Sequence, residues 1–295
     1  MKVKRSKSEI LFLAFIYTFM IALCITIIFP FWNIFTLSVT GEGVSTTRFY
    51  LWPPVTTLSN YARVFDSRHI WVGFANTLHR TIIGTFLTLL FTIHLAYPLS
   101  KKYFPHRTFW TLLIVFTMFF SGGMIPDFIL VRSLGLIDTR WAMIVPGLIS
   151  AFNMIIMRNF FMNIPDSLEE SVRIDGGNDI IILYRIILPL SGPIIATIAL
   201  WTAVGHWNAW FDNLIYVNDA NLIVVQVVLR RVVLEGSQQL INMAGGAPVD
   251  TGMERITPET IRAATIMVIT VPILCVYPFI QKYFVKGVMV GSLKG

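Results

Sequence analysis

Residues 81–100 read TIIGTFLTLLFTIHLAYPLS, a stretch of 20 residues without Asp, Glu, Lys or Arg between Arg80 and Lys101. A helix of about 20 predominantly apolar residues is long enough to cross the hydrocarbon core of a lipid bilayer. This stretch therefore predicts a membrane-spanning helix, and the same test applies to the rest of the chain.

Five further charge-free windows reach about 17 residues, the lower limit for a spanning helix. They are residues 10–41, 108–126, 141–157, 186–211 and 263–281, and all are rich in Leu, Ile, Phe and Val. Of the 295 residues, 55% are hydrophobic and only 13% are charged, which is about half the charged share of a soluble domain. This composition excludes an ordinary soluble enzyme and a disordered chain, and it predicts an all-α polytopic membrane protein.

We expect one transmembrane domain, 1–295, with six membrane-spanning helices. Their predicted ranges are about 10–37, 76–99, 108–124, 141–161, 189–211 and 261–284, with an inner loop at 163–188 and an outer loop at 218–260.

The distribution of basic residues predicts the orientation of these helices. The chain has 23 Lys and Arg against 16 Asp and Glu, a net charge of +7. If the N-terminus is cytoplasmic, the inner segments hold 13 of the 23 basic residues and all eight lysines. Because basic residues favour the cytoplasmic side, we expect both termini inside, in a bacterial inner membrane. No basic run is long enough to indicate nucleic-acid binding.

The inner loop carries the most informative local pattern, PDSLEESVRIDGG at 165–177. Asp166 or Ser167 is expected to cap a short helix that Gly176 ends in the left-handed conformation. Asn178 is expected to cap a second short helix. Its acids and exposed apolar side chains predict a protruding knob that binds a partner; an amphipathic helix lying on lipid is the alternative.

The spacing within this loop resembles the coupling motif, or EAA motif, of ABC-importer permeases. That motif is Glu-Ala-Ala, three residues, Gly, nine residues and Ile-x-Leu-Pro; Ser171 and Val172 replace the two alanines here. The resemblance implies a type I ABC-importer-like core. It also implies that the loop couples to an ATPase through Glu169, Glu170, Arg173, Asp175, Gly176, Ile186, Leu188 and Pro189.

The resemblance extends beyond the loop. Asn76-Thr77 is similar to the start of the family's core, and the tail 284–295 resembles that of carbohydrate-type permeases. The segment 205–211, GHWNAWF, resembles the sugar-importer branch, especially its lipoprotein-locus, rhamnogalacturonan and alginate types. These similarities imply an acidic, uronate-containing oligosaccharide as substrate, with a neutral sugar as the alternative.

An importer needs an energy source, and this sequence has no Gly-x-x-x-x-Gly-Lys-Ser/Thr phosphate loop. The resemblance implies that ATP and Mg bind two separate cytoplasmic ATPase subunits, and that this chain is non-catalytic and holds no cofactor or metal. The other implied partners are a second permease subunit, an external sugar-binding protein, the oligosaccharide and membrane lipid, with no nucleic acid. Closure of the ATPases would switch access between the two sides of the membrane.

Polar and aromatic residues cluster near the predicted outer end of the fifth span. Aromatic rings stack on sugars, and Asn, His and Asp bind hydroxyls, so these residues are candidates for a substrate pathway: His206, Trp207, Asn208, Trp210 and Asp212. An interfacial aromatic belt is the alternative interpretation.

Three other classes of membrane protein were considered. An ion-coupled secondary transporter is expected to have polar groups paired at broken helices near the midplane, but none of the six windows contains an acid. An intramembrane enzyme needs a nucleophile–base pair or metal ligands such as His-Glu-x-x-His, and no such pattern is present. A purely structural subunit would leave the motif spacing unexplained.

Overall fold

The computed structural model describes residues 7–235 and 257–292, with side chains in the final helix described as far as Cys275. Within these ranges the chain is helical and contains no strand; one isolated antiparallel bridge pairs Thr40 with Thr56. The all-α prediction is therefore confirmed for the part of the chain that the structure describes.

The α-helices follow one another with short connections. They are α1 Lys7–Ser38, α2 Ser59–Asp66, α3 Arg68–Ser100, α4 Arg107–Phe119, α5 Met124–Ser133, α6 Ala151–Met162, α7 Asp166–Ile174, α8 Asp179–Ile182, α9 Leu188–Leu190, α10 Gly192–Asn208, α11 Phe211–Tyr216, α12 Val225–Glu235 and α13 Pro258–Ser292. Three short 3₁₀ turns, Arg140–Met143, Val145–Gly147 and Ala220–Leu222, and a π-helical turn, Leu183–Ile187, complete the described elements.

Three helical segments are individually long and apolar enough to cross a membrane: α1, α3 and the Pro258–Cys275 part of α13. Three bent pairs pass the same test only when each pair is taken as one span. They are Arg107–Phe119 with Met124–Ser133, bent by 117°; Arg140–Gly147 with Ala151–Met162, bent by 52°; and Asp179–Leu190 with Gly192–Asn208, bent by 81°. The described residues thus contain three to six spans by length and composition, and the number six stays a prediction.

The helix bounds differ from the predicted ones where the sequence breaks a helix. The third predicted span, 108–124, stops at Phe119, and Gly123 turns the chain with a φ of +88°. In the fourth, 141–161, Pro146 and Gly147 lie in 3₁₀ turns, so the α-helix starts only at Ala151. Hydropathy windows locate apolar stretches but do not detect these backbone breaks.

The second and sixth helices are longer than predicted, since α3 begins at Arg68 and α13 continues to Ser292. The first half of the predicted outer loop 218–260, where either a strand or a helix was expected, forms α12. Its second half, 236–256, lies outside the described residues, as do the side chains of the tail 284–295.

The chain divides into two units. One comprises Met1–Arg68 and Leu229–Val271, the other His69–Val228 and Pro272–Gly295. In the first unit, Asn60 donates hydrogen bonds to the carbonyl oxygens of Ser38 (2.9 Å) and Thr40 (3.1 Å). The second unit has a core of buried apolar residues contributed by α3, α6, α8 and α10, among them Ala96, Met154, Met157, Phe161, Ile182, Ile187 and Ile198. Both candidate sites described below lie in this second unit.

Candidate functional site

The predicted coupling loop contains two short helices, α7 and α8, joined by a glycine elbow. Gly176 has a φ of +81°, its N–H donates to the carbonyl of Arg173 (3.0 Å), and the N–H of Gly177 donates to the carbonyl of Val172 (2.8 Å). These are the two hydrogen bonds of a Schellman motif, which ends a helix with a left-handed residue. A Cβ at Gly177 would lie 2.4 Å from Val172 Cγ1, whereas one at Gly176 would meet nothing within 4 Å. Both glycines are therefore required, for different reasons.

The two helix starts in this loop are built differently. The side chain of Asn178 accepts a hydrogen bond from the N–H of Ile181 (2.9 Å), which confirms the predicted cap of α8. The predicted cap of α7 is wrong, because Pro165 occupies the N-cap position and no side chain there bonds the backbone. Asp166 is instead the first helical residue, where its negative charge favours the helix N-terminus.

The adjacent glutamates of α7 face in opposite directions. Glu169 is 5% exposed and forms an ion pair with Lys101, which is 6% exposed. The ammonium group of Lys101 also lies 5.0 Å from the centre of the Tyr97 ring. Glu170 is exposed. Of the two predicted coupling residues, only Glu170 is on the surface.

A second set of contacts fixes the elbow from outside. Arg173 donates to Asp179 Oδ1 (2.5 Å) and to the hydroxyl of Tyr103 (2.7 Å), and Tyr103 donates to Asp179 Oδ1 (3.0 Å). The Arg173 guanidinium also lies 5.0 Å from the centre of the Tyr103 ring. Burial and the hydrogen bond to Asp179 raise the pKa of Tyr103 above its ordinary value of 10.0. Arg173 thus holds the two arms of the elbow together.

The remaining predicted coupling residues are distributed between surface and core. Asp175 and Gly176 are exposed, next to the protruding side chains of Ile174 (85% exposed) and Ile180 (68%). Ile186, Leu188 and Pro189 lie farther along the chain; the first two are half-buried and Pro189 is exposed. The elbow therefore presents apolar side chains flanked by carboxylates.

The motif's proline accounts for the irregular backbone that precedes it. Proline has no N–H to donate to the carbonyl four residues earlier, and its ring crowds that carbonyl. Leu183–Ile187 adopts a π-helical turn in which the N–H of Leu188 bonds the carbonyl of Leu183. The chain then bends by 81° before α10.

The second candidate site is centred on Arg80, in the middle of α3. Arg80 is 3% exposed and forms an ion pair with Asp212 of α11. Its Nη1 also donates to Asp212 Oδ1 (3.1 Å) and to the carbonyl of Ala209 (3.2 Å), and its Nε lies 3.5 Å from Nδ1 of His206. We call Arg80, His206 and Asp212 the Arg80 cluster.

Gly84 makes room for the cluster one turn along α3. A Cβ at this position would lie 2.5 Å from Nε2 of His206. The sequence predicted His206 and Asp212 as site residues but treated Arg80 as the end of a span. The available signal was a cation and an anion at the predicted outer ends of two different spans.

The other predicted pathway residues do not join this cluster. Trp207 packs on Phe74 with ring centres 6.4 Å apart, and its buried Nε1 has no hydrogen-bond partner among the described residues. Trp210 is half-buried and meets Phe211 edge-on, with ring centres 5.5 Å apart, and Asn208 is exposed.

The same face of α3 holds the segment 221–225. Asn76 donates to the carbonyls of Asn221 (2.8 Å) and Ile223 (3.1 Å), and the Thr77 hydroxyl accepts from the N–H of Val225 (2.9 Å). Asn213 of α11 donates to the carbonyl of Leu222 (3.0 Å) from the other side. The pair Asn76-Thr77, noted in the sequence by resemblance alone, thus anchors the backbone that leads into α12.

Comparisons with known proteins agree with these features. The chain is 43% identical over 290 residues to the polygalacturonan/rhamnogalacturonan transport system permease protein YtcP of Bacillus subtilis (strain 168), covering 97% of this chain and 99% of that protein. It is also 43% identical over 270 residues to Protein LplC of the same organism, covering 91% and 90% of the two chains. No protein-family model matches the chain.

A solved structure extends the similarity to the whole fold. The chain superposes on a chain of the crystal structure of a bacterial ABC transporter involved in the import of the acidic polysaccharide alginate, with a TM-score of 0.87 and 31% identity. The match covers 96% of this chain and 100% of that one. This chain is a polytopic membrane protein that belongs to the permease subunits of ABC sugar importers.

Proposed function

We propose that this chain is one of two membrane-spanning subunits of an ATP-driven importer, which passes an oligosaccharide from an external binding protein to the cytoplasm by alternating access. The observation that carries this proposal is the exposed elbow between α7 and α8. It presents Glu170, Asp175 and two exposed isoleucines on a backbone held by a Schellman motif. Apolar side chains this exposed need a partner surface.

The partner that fits this surface is an ATPase subunit. The chain has no phosphate loop of its own, so ATP and Mg bind to two cytoplasmic ATPase subunits. A short rigid projection can transmit the movement of such a partner, because ligand-driven closure displaces packed elements as bodies. The second permease subunit and the external binding protein complete the assembly.

Six spans with both termini inside fit this arrangement. The three bent pairs each serve as one span, which gives six together with the three single helices. In this topology all eight lysines, including Lys101, lie on the cytoplasmic side, in the plasma membrane of a bacterium. The coupling loop then faces the ATPases.

The substrate we infer is an acidic oligosaccharide rich in uronate. The support is the printed function of two similar proteins, one for polygalacturonan/rhamnogalacturonan transport and one for alginate import. Arg80 is not the group that attracts such a substrate, since Asp212 already neutralises it. Trp207, Asn208 and Trp210 are the remaining candidates for contact with sugar rings and hydroxyls.

Cross-linking tests the docking surface. The exposed native cysteines, Cys24 and Cys275, are first replaced by serine. Ile174→Cys then carries a short thiol cross-linker in the assembled complex, and Leu51→Cys, at a site 76% exposed on the predicted outer side, is the matched control. We expect a product with the ATPase subunit from position 174 and none from position 51. The proposal fails if position 174 gives no product while the complex is intact.

Uptake tests the substrate. The complex with its binding protein is reconstituted in liposomes and supplied with labelled oligogalacturonate or with a neutral oligosaccharide of the same length. We expect ATP-dependent uptake of the uronate. Uptake of the neutral sugar alone would assign the alternative substrate.

A further inference from the structure

We propose that the buried pair Lys101–Glu169 is a strut through which movement of the coupling helix α7 enters α3. This inference rests on the proposed coupling function and adds a route for the force. Glu169 is then a positioning residue, whereas the neighbouring Glu170 faces the partner. The route runs from α7 through the α3–α4 turn, 101–106, into α3.

The strut joins two elements that are far apart in sequence. Lys101 directly follows α3, and its N–H donates to the carbonyl of Pro98 (3.1 Å), within the last turn of that helix. The carboxylate of Glu169 projects from the middle of α7, and both side chains are more than nine-tenths buried. Separating them would leave two charges without compensation in a poorly solvated place. The end of α3 and α7 are therefore held together when either one moves.

Neighbouring positions add two more connections at the same place. The carbonyl of Leu99 accepts a hydrogen bond from Nε of Arg158 in α6 (2.8 Å). Tyr103 contacts both arms of the elbow through Arg173 and Asp179. Positions 99, 101 and 103 thus bind α6, α7 and the elbow in succession. The buried pair is the strongest of these links, because exposed ion pairs contribute little.

The alternative route, along the chain from α8 to α10, is mechanically weaker. It passes through the π-helical turn Leu183–Ile187 and a bend of 81°. Such interruptions are where helices flex. By contrast, α3 is one continuous helix of 33 residues.

The far end of the α3 route is the Arg80 cluster. Arg80 lies 21 residues before Lys101 in the sequence, which is about 30 Å along a helix axis. There the guanidinium binds Asp212 and the carbonyl of Ala209, on either side of the break between α10 and α11. Displacement of α7 is therefore transmitted through α3 to this break.

The test measures sugar transported per ATP hydrolysed by the reconstituted complex. The variants are Glu169→Gln, Lys101→Gln with Glu169→Gln, and the charge exchange Lys101→Glu with Glu169→Lys. We expect Glu169→Gln to keep binding-protein-stimulated ATPase activity, since Glu170 is intact, but to lose about tenfold in transport per ATP. The charge exchange restores an attractive pair and is expected to recover most of that ratio.

Three outcomes overturn the strut. They are an unchanged ratio in Glu169→Gln, a loss that the charge exchange does not recover in an assembled complex, and, if Glu169→Gln fails to assemble, a wild-type ratio in the double glutamine variant. Gly176→Trp distinguishes this failure from failure of the proposed function. If Gly176→Trp abolishes stimulated ATPase activity while the glutamine variants couple normally, only the strut is wrong; if Gly176→Trp has no effect, the docking loop itself is wrong.

Discussion

Arg80 and Asp212, 132 positions apart in the sequence, form an ion pair between the middle of α3 and the start of α11. The arginine side chain is 4% exposed and the aspartate side chain 27% exposed. The guanidinium also binds the carbonyl of Ala209, where α10 ends. The pair therefore fixes the break between α10 and α11 against a continuous helix.

Asp212→Asn is expected to destabilise the protein by about 3 kcal/mol, because it leaves the buried guanidinium uncompensated. Adding Arg80→Met removes that charge, so the double variant should lose less than the sum of the two single changes. Thermal unfolding of the four proteins in detergent measures this double-mutant cycle. Additive effects would mean that the two side chains do not interact.

Gly84→Ala is expected to displace the His206 ring, because the new Cβ would lie 2.5 Å from Nε2. Such overpacking costs about 1–3 kcal/mol of the free energy of unfolding. The matched control is Gly205→Ala in α10, where a Cβ meets nothing within 4 Å; a helical alanine there should stabilise by about 0.5–1 kcal/mol. His206→Ala in the Gly84→Ala background should recover the loss, and no recovery would contradict the contact.

Thr77→Val is expected to loosen the segment 221–225, since the N–H of Val225 loses its acceptor. An unsatisfied buried donor costs about 1–3 kcal/mol. Hydrogen exchange of the peptide that covers this segment measures the change. Thr81→Val is the control, because the buried hydroxyl of Thr81 has no hydrogen-bond partner among the described residues. Equal exchange in Thr77→Val and wild type would contradict the proposed anchor.

Asp138 predicts an acid-dependent contact outside the spans. The backbone N–H groups of Asn218 (2.5 Å) and Asp219 (3.1 Å) donate to its carboxylate and lower its pKa below the ordinary 3.8. A lowered pKa contributes stability that is present above the unfolded pKa and is lost as the pH falls through the folded one.

The measurement for Asp138 is the difference in unfolding temperature between wild type and Asp138→Asn as a function of pH. We expect wild type to be more stable at pH 5–7 and the difference to disappear below about pH 3.8, once the carboxylate is protonated. A difference that stays constant down to acid pH would show that the charge of Asp138 is not involved.

Local features of the coupling loop were predictable from the sequence. Gly176 in the left-handed conformation and Asn178 as a helix cap depend on neighbours within a few residues. The direction of Glu169 was not predictable, because the periodicity of a nine-residue helix does not say which acid meets Lys101, 68 positions away.

The Arg80 cluster was missed for a related reason. A window that scans for charge-free stretches treats every charge as the end of a span, whereas a buried arginine can lie inside a helix when an acid compensates it. The breaks at Gly123 and Pro146 were likewise invisible to hydropathy, since they are properties of the backbone.

The most direct test of the coupling role of the loop is the ATPase activity of the complex with sugar-loaded binding protein, for Gly176→Trp, Gly176→Ala and Gly135→Trp. Gly176 (φ +81°) and Gly135 (φ +68°) are both left-handed, and neither would place a Cβ within 4 Å of another residue. The two tryptophans thus carry the same backbone strain on different loops, and the alanine carries the strain without the bulk. We predict that only Gly176→Trp loses stimulated ATPase activity and uptake. Wild-type ATPase activity and uptake in an assembled Gly176→Trp complex would contradict the account.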